Sequence, residues 1–231
     1  MKILEKIILA LQILNIAAFA YFIFTIPEDK TEYKEVVANQ DKKRFNGNEN
    51  FVFFGDSITE WYDLDEYYED DIPVVNSGFA GLKTKELAEK LQNEVYKYNP
   101  TKVFILIGTN DLNSDTKEEV TLENINNIIK DIQKNRRQAK IYIESIYPIN
   151  RTDDEIIDMT KVGIRTNKRI QEINKKIEKI AQENKVTYIN VYDELTDEDG
   201  NLAIKYTKDG LHMSALGYAK ITKTLMPYIL N

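Results

Sequence analysis

Beyond about residue 50, short apolar runs alternate along the chain with longer stretches of mixed pattern. The strand-like runs are 51–54, 73–75, 103–107, 141–146 and 186–191. Between and after them, 84–98, 117–137, 159–184 and 214–230 place apolar residues at helical spacing. Ile164, Ile170, Ile173, Ile177 and Ile180 illustrate that period. Strands alternating with helices of this length predict a parallel sheet with helices on both faces. In such a sheet, reactive groups belong at the carboxyl ends of the strands.

The first fifty residues follow a different pattern. Residues 7–26 carry no charge, and a helix of that length spans about 30 Å, the thickness of a bilayer core. Tyr21, Phe22 and Phe24 sit near its distal end, where an aromatic belt belongs. Ala18-Phe19-Ala20 has the form of a signal-peptidase site, but the apolar run continues past it to Ile26. The expectation is one transmembrane anchor at 7–26 after a cytoplasmic segment 1–6. A polar stalk at 27–49 then leads to a folded domain at 50–231, on the extracytoplasmic side because Lys2 and Lys6 precede the span. Secretion after cleavage is the alternative.

Composition then removes whole classes of chemistry. The absence of cysteine excludes disulfides, thiol nucleophiles and Cys-ligated zinc, and a single histidine excludes a His-cluster metal site. A net charge of -7 offers nothing to a phosphate backbone, so nucleic acid is not an expected partner. Neither a P-loop nor a Gly-x-Gly-x-x-Gly fingerprint is present. Asp197-Glu198-Asp199-Gly200 lacks the alternating ligands of a calcium loop and reads as an acidic turn.

The strand ends carry the chemistry. Gly55-Asp56-Ser57 follows the first run, Asn76-Ser77-Gly78-Phe79-Ala80-Gly81 the second, and Gly108-Thr109-Asn110-Asp111 the third; Asp209-Gly210-Leu211-His212 precedes the last helix. Any one of these reads equally well as turn or cap chemistry. Placed on one sheet edge, they bring together a serine, backbone amides, an amide side chain and an Asp/His pair. Acyl transfer needs that set. A serine hydroxyl is a poor nucleophile until a base takes its proton, a carboxylate holds the base in the useful tautomer, and fixed donors meet the oxyanion.

At these four segments the chain resembles the SGNH, or GDSL-type, hydrolase family, from about residue 50 to 230. Ile58 stands where the name-giving motif has leucine. The resemblance implies a flavodoxin-like three-layer α/β/α sandwich with a five-stranded parallel sheet in the order 2-1-3-4-5. It implies Ser57 as nucleophile, His212 as base and Asp209 as its orienting acid. The Ser57 and Gly81 amides and the Asn110 side chain would form the oxyanion hole, with no cofactor. The Gly-x-Ser-x-Gly elbow of α/β-hydrolases is absent. The expected reaction is hydrolysis of carboxylic esters, short-chain acyl or O-acetyl, on a small-molecule, lipid or glycan substrate. Transfer of the acyl group to an envelope glycan, or a catalytically silent anchored module, are the alternatives. Trp61, Tyr62, Tyr67 and Tyr68 either shape the pocket or pack inward, and 150–165 is a candidate rim by position.

Overall fold

The computed structural model describes Gly47 and residues 49–231 apart from Glu69 and Asp70. The expected anchor at 7–26, the segment before it and most of the stalk lie outside the described residues. Among the described residues, no helix is long and apolar enough to cross a membrane.

Five strands form one parallel sheet: β1 (Phe51–Gly55), β2 (Val74–Gly78), β3 (Lys102–Leu106), β4 (Lys140–Glu144) and β5 (Thr187–Ile189), in the order β2-β1-β3-β4-β5. Phe51 lies opposite both Val74 and Lys102, and Gly55 opposite Gly78 and Leu106, so β1 and its two neighbours, β2 and β3, end level. The helices are α1 (Ser57–Glu60), α2 (Leu64–Tyr67), α3 (Thr84–Ala88), α4 (Leu91–Glu94), α5 (Thr109–Leu112), α6 (Glu118–Asn135), α7 (Met159–Val162), α8 (Asn167–Asn184), α9 (Tyr192–Leu195) and α10 (Ala215–Leu230).

Alternation along the strands divides the core into two faces. Val52, Phe54, Val103, Ile105, Ile141 and Ile143 pack into one cluster with Leu87 of α3, Ile125, Ile128, Ile129 and Ile132 of α6, and Ile170, Ile173 and Ile177 of α8. Each such side chain contributes about 1.5–3 kcal/mol by leaving water. The other face is aromatic. Phe53 stacks on Phe104 with centroids 4.8 Å apart, Phe104 stacks on Tyr142 at 4.6 Å, and Tyr142 meets Tyr228 of α10 edge-on. Lys102, at the foot of this layer, donates to the carbonyls of Tyr228 and Ile229 and so satisfies the end of α10.

Two expected helices are broken. Residues 84–98 fold as α3, α4 and a 3-10 turn at Tyr96–Tyr98, although Leu87, Leu91 and Val95 keep the buried spacing. The chain at 159–184 stops after α7 and restarts at α8. Gly163 turns it with φ of 63°, and the Thr166 hydroxyl caps α8 by accepting from the Arg169 amide. Ile164, expected on the buried stripe, lies in this break and is 61% exposed. Tyr62, Tyr67 and Tyr68 belong to the core rather than to a pocket: Tyr62 stacks on Tyr218 at 4.9 Å and bonds Thr222, while Trp61 alone of the group is exposed. In the acidic turn, Asp197 Oδ1 is occupied by the amides of Asp199 and Asn201.

Candidate active site

Ser57 opens α1 directly beyond the end of β1. Asp56 caps that helix through Oδ1, which accepts from the Ile58 amide at 3.0 Å. At the first helical position the Ser57 amide has no intrahelical acceptor and is available as a donor. Tyr218 of α10 donates to the Ile58 carbonyl at 2.8 Å and so holds α1 against the helix that follows His212.

The Ser57 hydroxyl lies 3.2 Å from His212 Nε2, and His212 Nδ1 lies 2.6 Å from Asp209 Oδ2. An ionised carboxylate only accepts, so Nδ1 carries the proton and Nε2 is left to accept from serine. Asp209 Oδ1 receives the Leu211 and His212 amides at 2.9 and 2.7 Å, which fixes the carboxylate on its own turn. Thr207, which sequence reasoning passed over, closes the turn by donating to the His212 carbonyl and accepting from the Gly210 amide. The three residues fall in a hydrogen-bonded series, with Ser57 and His212 each 6% exposed. Burial lowers the His212 pKa below 6.5 despite the raising effect of Asp209. For Asp209, burial raises the pKa, but the amides and the imidazole together outweigh it and hold it below the ordinary value.

Gly81 turns the chain after β2 with φ of 78°, a conformation that side chains disfavour, and among the described residues its amide finds no acceptor. Asn110 Nδ2 donates to the carbonyl of the adjacent Leu82 at 3.0 Å, which brings the two sequence-predicted oxyanion donors into one neighbourhood. Two other residues of the same segments are structural. Asn76 Nδ2 donates to the carbonyls of Thr59 and Tyr62, tying β2 to the end of α1, and Asp111 accepts from the Thr84 amide and hydroxyl, tying α5 to α3. The rim segment 150–165 lies where expected: Asp158 donates its amide to the Asp209 carbonyl, and Asn150 donates to the Gly210 carbonyl. Trp61 stands against the His212 ring at 4.2 Å between centroids, and the Lys208 ammonium also lies over the indole, 4.2 Å from its centroid. Among the described residues, no group of three or more His, Asp or Glu side chains is placed to hold a metal ion.

Behind the site lie buried acids. Burial raises the Asp56 carboxyl to about 7, against the lowering influence of the Ile58 amide and Arg165. Burial likewise raises Glu144, at the end of β4, to about 7, where Tyr147 donates to it. A carboxyl that binds its proton more tightly folded than unfolded loses stability as pH rises. For Glu144 the window runs from its unfolded value near 4.5 up through about 7. Glu144→Gln should therefore be near neutral for stability at pH 5 and stabilising by up to about 3 kcal/mol at pH 8. Urea unfolding across that range checks it, and a difference independent of pH would mean that Glu144 titrates normally.

A parallel α/β/α sheet with serine, imidazole, carboxylate and amide donors gathered at its strand ends defines the class of ester hydrolases. The chain belongs to the GDSL-like lipase/acylhydrolase family, whose model matches residues 53–220. It is similar to a Streptococcus pneumoniae protein of known structure described as a platelet activating factor, at 32% identity and TM-score 0.74, covering 96% of this chain and 98% of that one. It is 31% identical over 182 residues to the N-acylneuraminate cytidylyltransferase of Escherichia coli O18:K1:H7, which covers 78% of this chain but only 40% of that relative. The isoamyl acetate-hydrolyzing esterase of Saccharomyces cerevisiae is 26% identical over 194 residues, covering 74% of this chain and 81% of its own length. The sequence-based expectations of family and of sheet order 2-1-3-4-5 hold.

Proposed function

We propose that this chain is a serine esterase that cleaves small acyl groups, acetyl first among them, from alcohols through an acyl-enzyme. The observation that carries the reading is the hydrogen-bonded series from Ser57 through His212 to Asp209. Ser57 Oγ attacks the ester carbonyl while His212 Nε2 takes its proton, and Asp209 steadies the imidazolium so formed. The Ser57 and Gly81 amides and Asn110 Nδ2 receive the oxyanion. His212 then gives its proton to the departing alkoxide, and a water activated by the same imidazole releases the acid. The small-acyl preference is read from the crowding of the nucleophile: Ser57 and His212 are each 6% exposed, and Trp61 stands against the ring. Similarity to an acetate-ester hydrolase points the same way. The apolar run at 7–26 supports attachment to a membrane with the domain on the outer side.

The test is a panel of aryl and alkyl esters from acetyl to decanoyl, with acetylated sugars, assayed against the full chain in detergent and the Ser57→Ala protein as blank. Hydrolysis falling with acyl length, and absent from Ser57→Ala, is the expected result. Equal turnover by Ser57→Ala would remove the serine mechanism. A preference for decanoyl esters would remove the small-acyl assignment.

A further inference from the structure

Arg165 is one of the largest fully buried side chains of the domain, 2% exposed. Taking a guanidinium out of water is costly unless every donor is used well. Its nitrogens make hydrogen bonds to four neutral oxygens and to no carboxylate. Nε donates to the Thr109 carbonyl at 2.7 Å, Nη1 to the carbonyls of Lys161 and Val162 at 2.9 Å each, and Nη2 to Asn110 Oδ1 at 3.0 Å. Burial pulls its pKa down to about 10, partly offset by the Asp56 charge, so it remains a cation at neutral pH.

Three of those bonds have a purely structural reading: one fastens the rim to the turn at Thr109, and two tie Arg165 to the last turn of α7 within the rim itself. The fourth does not. A side-chain amide can rotate to exchange its oxygen and nitrogen, and the two orientations have opposite value at an oxyanion hole. With Nδ2 toward the substrate, Asn110 offers an N–H; rotated, it presents a lone pair to developing negative charge. Arg165 discriminates between them, because a guanidinium donates only and is paired with Oδ1. The Leu82 carbonyl reinforces the choice from the other side by taking one Nδ2 hydrogen. The second Nδ2 hydrogen is left for the oxyanion, and a cation bonded to the amide oxygen makes that hydrogen more positive.

We propose that Arg165 is a positioning residue for the oxyanion hole, locking the Asn110 amide in its donating orientation and polarising it. The proposal rests on the esterase reading, with Asn110 as donor. It also gives the rim a purpose. One segment touches the turn that carries the Asp–His pair, through Asp158 and the Asp209 carbonyl, and touches the oxyanion side through Arg165 and Asn110. Substrate contact with the rim would then bear on both halves of the site.

Arg165→Lys keeps the charge but loses the fork, and Arg165→Gln loses the charge. On an acetate ester, kcat should fall by roughly 10–100-fold in both, by part of what a whole oxyanion donor is worth. KM should stay within about twofold, as for a group acting only on the transition state. The discriminating measurement is the cycle with Asn110→Ala. Arg165→Lys should change the kcat of the Asn110→Ala enzyme by less than about twofold, because nothing remains to be oriented. Should Arg165→Gln fail to fold by circular dichroism, Arg165→Lys carries the cycle alone. If Asn110→Ala lowers kcat and Arg165→Lys lowers it again by its full factor, Arg165 acts through general structure and the positioning role is overturned, with the esterase reading intact. If Asn110→Ala leaves kcat unchanged, the oxyanion reading falls and the proposal with it.

Discussion

Replacing His212 by Gln should lower kcat/KM by roughly 10⁴–10⁶-fold, about 5–8 kcal/mol, the scale on which deletion of a base from a serine hydrolase acts. The chain has no second imidazole to stand in. Ser57 Oγ makes its one side-chain bond to Nε2, so a glutamine of similar size restores packing but not proton transfer. The wild-type enzyme should lose activity as pH falls. Burial lowers the His212 pKa below 6.5, so the ring is neutral at pH 7 and the acidic limb of kcat/KM lies below 6.5. The single set of imidazole proton resonances, followed against pH, should titrate with the kinetic midpoint. A kinetic midpoint near 7 that the imidazole does not share would assign the limb to one of the buried carboxyls instead, Asp56 or Glu144, each raised to about 7 by burial. A His212→Gln enzyme retaining a tenth of wild-type activity would end the Ser-His-Asp assignment.

Asn110→Ala should lower kcat by about 10²–10³-fold, roughly 2.7–4 kcal/mol, with KM little changed. The asymmetry follows from timing: the oxygen that Nδ2 meets becomes charged only as the tetrahedral intermediate forms. Asn110 is held at both ends of its amide, by Leu82 and Arg165, so little reorganisation accompanies reaction. A normal kcat with a strongly raised KM would make Asn110 a ground-state binding residue instead.

The sheet, and the candidate serine, histidine and aspartate that the fold brings into one hydrogen-bonded series, were legible because each rests on a local rule. Runs such as 103–107 are too short and apolar to be surface helices, and polar residues directly beyond such runs stand out. The break before Ile164 was written in Gly163 and Thr166, but the isoleucine spacing across it was stronger than the breaker signal. Tyr62, Tyr67 and Tyr68 left two readings open, because Tyr218, the partner of the first two, is about 150 residues away and only packing decides. Arg165 was invisible for the same reason in sharper form. In the sequence it is one more cation before a polar helix, and nothing local says that its guanidinium reaches back 55 residues to an amide. Glu144 was a milder case: a lone acid in the apolar run 141–146 flags an unusual carboxyl without naming Tyr147 as its donor.

The contact between Trp61 and His212 has a use unrelated to catalysis. The chain contains one tryptophan and one histidine, and their rings lie 4.2 Å apart between centroids. An imidazolium is a far better electron acceptor from an excited indole than a neutral imidazole is. The emission of this protein, excited at the red edge where tyrosine is silent, is therefore set by the protonation of its proposed base. Under the proposed mechanism, each turnover that makes the ring a cation should register as a brief dimming of a single chromophore, with no label attached and no residue changed.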